Sequence, residues 1–179
     1  HISIIDSHGN ALAMTTTIEN AFGSRLMTPG GFLLNNELTD FSFRTEKNGI
    51  PIANRVEPGK RPRSSMSPTI VLKDNKPILV IGSTGGSAII GFVVQSIIAY
   101  IDWDMGIKEA IDFPHLINRF GTFDIEDDPQ LDVLANQLKD MGFSVNRRAM
   151  NSGTHAIALG ETGLFGAADN RREGSVVGE

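Results

Sequence analysis

The sequence predicts an α+β fold in which an antiparallel sheet carries helices packed on it. Strand patterns come first, helical patterns follow, and strand patterns return at the end. This order differs from the alternation of strand and helix that builds a parallel sheet. Hydrophobic residues make up 40% of the 179 residues, which is enough for one domain with a sizeable core. Two sheets between helix layers need more strands than this chain supplies, so we expect a partner chain to supply them.

The first half of the chain predicts two hairpins separated by irregular backbone. Alternating apolar residues and a Ser-His-Gly-Asn turn predict the first hairpin. Many Gly and Pro residues between the hairpins favour loops at the surface. The predicted segments are strands 1–6 and 11–17, a short buried run at 32–34, a surface loop at 42–63, and strands 69–72 and 78–81.

The second half predicts three helices and then three more strands. The first helix, residues 87–102, is almost wholly apolar, so we expect most of it to be buried. The second helix, 107–113, ends at Pro114. The third, 129–141, begins with Pro129, stops at Gly142 and repeats apolar residues on one face. That face consists of Leu131, Leu134, Leu138 and Met141, and the closing strands are predicted at 143–148, 155–159 and 164–168.

Composition and charge exclude several classes of function. The net charge of −5 comes without a basic stripe, which argues against a nucleic-acid partner. Without cysteine there is no disulfide, thiolate nucleophile or cysteine zinc site. The longest apolar run, residues 88–101, has about 14 residues and is too short to span a bilayer. The chain opens inside a strand pattern, so we expect that it was cut from a longer protein.

Residues 82–87, Gly-Ser-Thr-Gly-Gly-Ser, lie between a predicted strand and a predicted helix. Consecutive glycine N–H groups at a helix N-terminus can converge on one anionic oxygen. The loop is therefore a candidate oxyanion hole for acyl transfer. A tight turn that serves packing alone explains the same spacing equally well.

Adjacent hydroxyls and clustered acids form the other candidate binding groups. Ser64 and Ser65 can grip a carboxylate, although turn capping is the commoner role of such serines. Glu37 and Asp40 lie three residues apart and suit an ammonium group, with Glu19 as a third acid. Taken alone, the acids are better explained by a solvated loop surface.

The remaining hydroxyl and imidazole groups form no known catalytic pattern. Thr17 ends a run of three threonines, which is ordinary strand composition or a support for a nucleophile. The four histidines, His1, His8, His115 and His155, lack the spacing of metal ligands and are interpreted as structural or surface residues. No serine triad or Gly-x-Ser-x-Gly elbow is present.

Several motifs follow one another along the whole chain. The most specific are Arg61-Pro62-Arg63-Ser64-Ser65-Met66-Ser67-Pro68 and the Gly85-Gly86 loop. The others are the opening His-x-Ser strand, Thr17, the Leu-Leu-Asn-Asn-Glu-x-x-Asp-Phe-Ser segment at 33–42, and Leu-Phe-Gly-Ala-Ala-Asp at 164–169. With these motifs the chain resembles the small catalytic subunit of gamma-glutamyltranspeptidases over essentially its full length.

The resemblance implies an N-terminal-nucleophile hydrolase fold, a four-layer αββα sandwich completed by a large subunit from the same self-cleaved precursor. It implies that an N-terminal Thr, with its own amine as base, attacks the γ-glutamyl amide of glutathione or a related donor. Water or an amino-acid acceptor then releases the γ-glutamyl group from its ester. No metal or cofactor is implied, and the implied location is periplasmic or secreted.

The resemblance also assigns the catalytic groups. By position, Thr17 matches the residue that hydrogen-bonds the nucleophile, and Gly85 and Gly86 match the oxyanion hole. The nucleophilic Thr of the family lies two residues before the position of His1 and is missing from this sequence. We therefore expect either a truncated sequence or an inactive form.

The substrate-binding residues follow in the same way. Ser64 and Ser65 match the hydroxyls that hold the glutamyl α-carboxylate, and Glu37 and Asp40 match the acids that hold its α-ammonium. Glu19 stands where many relatives have Asn. The extra carboxylate is expected to favour a cationic amine further.

Two alternatives remain open at this point. One is a glutaryl or cephalosporin-type acylase on the same scaffold, and the other is an inactive subunit that only binds. A glutaryl group lacks the α-amine, so Glu19, Glu37 and Asp40 would face it unpaired, which is costly. A Thr before His1 in the mature chain would distinguish an enzyme from a binding-only subunit.

Overall fold

The computed structural model describes residues 1–178, which form two compact units. We call residues 1–15 and 65–178 the sheet unit and Thr16–Ser64 the loop unit. The expectation of a single domain stays a prediction. The strands are β1 (Ile2–Ile5), β2 (Ala11–Met14), β3 (Glu46–Lys47), β4 (Ile50–Pro51), β5 (Thr69–Lys73), β6 (Lys76–Gly82), β7 (Leu116–Asn118), β8 (Thr122–Glu126), β9 (Ser144–Arg148), β10 (His155–Gly160) and β11 (Gly163–Ala168). The helices are α1 (Ile89–Ile101), α2 (Ile107–Asp112) and α3 (Asp132–Asp140), and single 3-10 turns span Glu37–Asp40, Gly86–Ala88 and Pro129–Leu131.

The sheet unit is built on a four-stranded antiparallel sheet in the order β11-β10-β6-β5. The predicted hairpin is confirmed, because Ile70 pairs with Val80 across it. Asp74 and Asn75 form its turn with φ of 52° and 61°. Left-handed backbone at both central residues matches the right-handed twist of the flanking strands, which explains why this turn closes the hairpin.

Two layers cover the faces of this sheet. One face packs against α1 and α2 and forms the main core, which consists of Leu79, Ile81, Ile89, Val93, Ile107, Ile111, Ala156, Ala158 and Ala167. On the other face the β1–β2 hairpin is tied to the sheet by the Ser3 hydroxyl, which lies 3.4 Å from the carbonyl oxygen of Val80 and 3.3 Å from that of His155. The sheet, whose inner strand β6 leads into the glycine loop, is therefore packed on both faces.

The first helix differs from its prediction. Its position is confirmed, but one side of it is not buried, because Ile90, Val94, Ile98 and Ile101 are exposed. These residues recur at helical spacing and form one stripe. The opposite side, with Ile89, Phe92 and Val93, packs into the protein.

The third helix and a second sheet form a smaller core. Here α3 buries Ala135 and Leu138, whereas Leu134 and Met141 of the predicted face are exposed. The three strands are ordered β7-β8-β9, and β8 pairs with β9 in parallel. The expectation of purely antiparallel sheet is therefore wrong at this place. A parallel pair needs a crossover connection, and α3 supplies it.

Three smaller expectations also need correction. The second strand ends at Met14, so residues 15–17 are not strand. The run at 32–34 is not buried, since Phe32 is 62% exposed in a turn-rich segment without a sheet to cover it. The predicted surface loop 42–63 is confirmed except for the short pair β3–β4.

Among residues 1–178, no helix combines the length and apolar character needed to cross a bilayer.

Candidate active site

The glycine-rich loop joins the end of β6 to the start of α1. Gly85 and Gly86 have φ of 131° and 61°, a region that L side chains rarely adopt. Gly86 opens a 3-10 turn that runs directly into α1. The first N–H groups of a helix have no partner within it and lie at the positive end of its dipole. The loop therefore presents backbone donors suited to an anionic oxygen, as the sequence predicts.

The two glycines face different surroundings. A Cβ on Gly85 would lie 2.5 Å from Cε2 of the Phe92 ring, so the backbone is pressed against protein at this point. A Cβ on Gly86 would meet no heavy atom within 4 Å, and Gly86 is exposed. Gly85 thus anchors the loop, and the backbone of Gly86 is open to approach.

A buried polar network lies beneath the loop, and sequence reasoning missed it. Ser152 donates to a carboxylate oxygen of Asp169 at 2.5 Å and lies 2.9 Å from Nε2 of His115. The other Asp169 oxygen accepts from Arg171 at 3.1 Å. Arg171 also donates to both carboxylate oxygens of Glu126 at 2.7 Å. The only sequence signal was the position of Asp169 at the end of a family motif.

Electrostatics within this network favour one charge state for each group. Burial and the nearby charge of Arg171 lower the pKa of His115 to about 4, so His115 is neutral at pH 7. Burial opposes the ionisation of Asp169, but hydrogen bonds from Ser152 and the charge of Arg171 bring its pKa below the ordinary value. The site beneath the loop therefore holds an ionised aspartate beside a neutral imidazole.

The predicted acid pair lies in the loop unit. Glu37 and Asp40 begin and end one 3-10 turn. The pKa of Glu37 is raised, first by its partial burial, then by the charge and hydrogen bond of Asp40, and last by the charge of Glu19. The structure therefore brings the three predicted acids into one electrostatic cluster. A bound cation would relieve the repulsion between them.

Glu19 and Thr17 occupy one tight turn. Glu19 has a left-handed φ of 71°, and its amide donates to the Thr17 hydroxyl at 2.9 Å. The Glu19 carboxylate accepts hydrogen bonds from the side chains of Asn36 and Thr39. The role of Thr17 beside a nucleophile stays a prediction.

Asn54 connects two of the predicted segments, although no sequence motif marks it. Its amide nitrogen donates to the Asp40 carbonyl at 2.7 Å. Its amide oxygen accepts from the backbone of Arg63 at 2.9 Å. One side chain therefore holds the acid turn close to the residue that precedes Ser64.

The predicted site residues are divided between the two units. Five of them lie in the loop unit and three in the sheet unit, and their arrangement around one cavity stays a prediction. The loop unit contains Thr17, Glu19, Glu37, Asp40 and Ser64, and the sheet unit contains Ser65, Gly85 and Gly86. Within residues 1–178, no group of three or more His, Cys, Asp or Glu side chains is placed to hold a metal ion.

Comparison with known proteins defines first the class and then the family. One chain of the crystal structure of a Helicobacter pylori gamma-glutamyltranspeptidase mutant matches with a TM-score of 0.87 at 38% identity, covering 96% of this chain and 99% of that one. The fold and its glycine loop thus place the chain in the N-terminal-nucleophile hydrolase class. A family model, gamma-glutamyltranspeptidase, matches residues 1–179. The chain belongs to the gamma-glutamyltranspeptidase family.

Two further matches show how much of a relative the chain spans and how far the shared fold extends. The glutathione hydrolase proenzyme of Bacillus subtilis strain 168 is 41% identical over 99% of this chain, but the chain spans only 30% of that protein. A cephalosporin acylase from Bacillus halodurans shares the fold at 24% identity and a TM-score of 0.74, covering 87% of this chain and 29% of that one. The acylase is more distant and indicates a common fold alone.

Proposed function

We propose that this chain is the small subunit of an enzyme that hydrolyses or transfers γ-glutamyl groups. The observation that carries the proposal is the Gly85-Gly86 pair in the loop that leads into α1, where left-handed backbone is combined with open space at Gly86. The acid cluster of Glu19, Glu37 and Asp40 supports an amino-acid donor, since its repulsion is relieved by an α-ammonium group. Family membership supports the same reaction.

The proposed reaction proceeds in two acyl transfers. A Thr hydroxyl preceding His1 attacks the γ-carbonyl of the donor, and its proton passes through the Thr amine to the leaving amine. The carbonyl oxygen becomes an oxyanion that Gly85 and Gly86 stabilise. Water or an amino-acid acceptor then attacks the ester, and glutamate or a new γ-glutamyl amide leaves. In this scheme Ser64 and Ser65 hold the donor α-carboxylate and Thr17 supports the nucleophile.

We also propose that a large subunit from the same precursor completes the enzyme and that the enzyme works in the periplasm or outside the cell. The first part is supported by the span of the chain, which covers 30% of the Bacillus subtilis relative. The exposed apolar stripe of α1 is also consistent with a covering partner. The location rests on family membership.

The decisive experiment measures kcat/KM of the full-length processed protein with γ-glutamyl and glutaryl anilides. The wild type is expected to prefer the γ-glutamyl compound. Asp40→Ala is expected to reduce kcat/KM for that compound roughly 10- to 100-fold, the range of a lost charged hydrogen bond. The same variant should leave the glutaryl reaction nearly unchanged, because that substrate has no ammonium group.

Glu46→Ala is the matched control, since Glu46 is an exposed acid in the same unit. A wild type that prefers the glutaryl anilide would favour the acylase alternative. A processed protein that binds glutamate but cleaves neither anilide would favour the binding-only alternative. Equal losses on both substrates for Asp40→Ala would contradict the ammonium-binding role.

A further inference from the structure

A fully buried serine lies at the base of the glycine loop and uses all of its hydrogen-bonding capacity. The Ser83 hydroxyl donates to the Thr84 carbonyl at 2.8 Å. It accepts from the Thr154 hydroxyl at 3.1 Å and from the Gly153 amide at 3.2 Å. A serine hydroxyl has one donor and two acceptor positions, and here all three are occupied. Its orientation is therefore fixed.

The bond to Thr84 controls the direction of a neighbouring amide. The Thr84 carbonyl and the Gly85 N–H belong to one peptide group, which is planar and trans, so the two bonds point in opposite directions. Holding the carbonyl toward Ser83 directs the Gly85 N–H away from it. This restraint matters because Gly85, at a φ of 131°, has no side chain that would limit rotation of its backbone.

Thr154 fixes the serine from the other side. Thr154 is fully buried, and its backbone amide donates to the Asp169 carboxylate at 3.3 Å, while the Asp169 amide donates to the Thr154 carbonyl at 2.9 Å. The segment packs closely on the loop, since a Cβ on Gly153 would lie 2.4 Å from the Thr84 hydroxyl. Hydrogen bonds therefore lead continuously from the buried Asp169 to the peptide of Gly85.

We infer that Ser83 and Thr154 are positioning residues that aim the Gly85 amide at the oxyanion of the reaction. The inference rests on the proposed function, since it assigns these hydroxyls a role in that reaction. Neither side chain reaches the substrate, because both are fully buried. Their effect is expected to appear in the transition state, where the oxygen becomes charged, and not in the binding of the ground state.

The test uses the full-length processed protein and two variants, Ser83→Ala and Thr154→Val. Turnover of a γ-glutamyl anilide is expressed per active site, counted from the acylation burst. We expect kcat/KM to fall roughly 10- to 100-fold for Ser83→Ala and about tenfold for Thr154→Val, less than the loss of a whole oxyanion donor. Thr154→Ser keeps the hydroxyl and should retain most of the activity.

Inhibitor binding separates positioning from general damage. A boronic acid in place of the γ-carboxyl of glutamate forms a tetrahedral adduct whose oxygen occupies the oxyanion position. Its affinity should fall by the same factor as kcat/KM, whereas the affinity for glutamate should stay within about twofold. Ser96→Ala is the matched control, because Ser96 is a fully buried serine of α1 whose hydroxyl has no hydrogen-bond partner.

Each outcome decides between the possibilities. If Ser83→Ala fails to fold, the same comparison is made with Thr154→Val, which conserves the volume of the side chain. If the wild type is active, two results would overturn the positioning role alone. One is an equal loss of boronate and glutamate affinity in the variants, and the other is a kcat/KM in the variants that equals that of the wild type. A correctly processed wild type without activity on γ-glutamyl anilides would overturn the proposed function and this inference together.

Discussion

His115 must be neutral for the network beneath the glycine loop to persist. Ser152 uses its only proton to bond Asp169, so it accepts from the Nε2–H of His115. The other ring nitrogen, Nδ1, is buried and has no hydrogen-bond partner. A second proton there would be buried without an acceptor, beside the ring of Phe92 and within reach of the Arg171 charge. These surroundings explain why the pKa of His115 is as low as about 4.

The low pKa of His115 predicts a loss of stability in mild acid. Between pH 6.5 and about 4 the unfolded chain binds a proton at this residue that the folded protein does not, so stability falls as the pH falls. From pH 7 to pH 5 this amounts to about 2 kcal/mol. His115→Gln keeps a donor near the Nε2 position and cannot titrate. Urea unfolding at both pH values should show a smaller loss in the variant than in the wild type.

Glu126 and Asp169 lie near the same imidazole, and their pKa values are lowered. The stability that these ionised carboxylates contribute is therefore lost only at still lower pH. His8→Gln, at an exposed histidine, is the matched control and should behave as the wild type does. An equal dependence on pH in His115→Gln and the wild type would show that His115 does not carry the effect.

The raised pKa of Glu37 predicts the acid limb of the activity profile. If the ionised carboxylate binds the donor ammonium, kcat/KM falls as the pH drops through that raised pKa. Asp40→Asn removes the negative charge that helps to raise it. The limb should therefore move to lower pH in this variant, although the maximal rate also drops. Profiles of kcat/KM between pH 4 and 8 would measure the shift, and a limb that stays in place would refute the assignment.

At the scale of elements, the start of α3 depends on one cap. The Asp128 side chain accepts from the Gln130 amide at 2.8 Å, and Pro129 occupies the first position of the turn that leads into the helix. Asp128→Ala should lower the free energy of unfolding by about 1 kcal/mol, as is typical of a lost N-cap. Asp127→Ala removes only an exposed ion pair with Arg147 at 3.7 Å and should cost less than about 0.5 kcal/mol. Urea melts of both variants would compare them, and equal effects would contradict the capping role.

Elements with a local signal could be predicted from the sequence, and elements without one could not. The hairpin closed by Asp74 and Asn75 and the helix begun by Pro129 each carry residues whose preferences act over a few positions. By contrast, β7 and β8 were not predicted, because short strands interrupted by charged residues and glycine show no clear alternation. The parallel pairing of β8 with β9 depends on tertiary contacts alone.

The candidate site divides in the same way. The glycine loop was predicted because strand, glycines and helix are consecutive in the chain. The bond between Ser83 and Thr154 joins residues 71 positions apart, and although Ser83 lies in the loop motif, no pattern along the chain links it to Thr154. The acids were predicted by resemblance, but the Asn54 that holds Asp40 in place was found only in the structure. The residues that we propose to contact substrate are therefore marked in the sequence, and the residues that we propose to orient them are not.

At the scale of the whole molecule, much apolar surface of the sheet unit is exposed in the part of the chain that the structure describes, residues 1–178. On the hairpin, Ile2, Ile4, Leu12 and Met14 are exposed on one face. The outer stripe of α1 is also exposed, although a helix with apolar residues on both sides is normally buried. Surfaces of this kind mark contacts with other protein surfaces. Since the chain spans 30% of a relative's length, the remainder of the precursor is the expected cover.

We predict that α1 carries part of the contact with the proposed large subunit. Val94 is 48% exposed in the middle of the stripe. Val94→Glu would place a charge in an apolar contact, where an unpaired charge is costly, and should weaken association between the two processed chains at least tenfold. Val133→Glu, at an exposed valine of α3, is the control for an added charge. Co-purification of a tagged chain with its partner, followed by dilution, would measure both. If Val94→Glu retained its partner as well as the control did, the stripe of α1 would lie outside the subunit contact, and the hairpin face would be the remaining candidate.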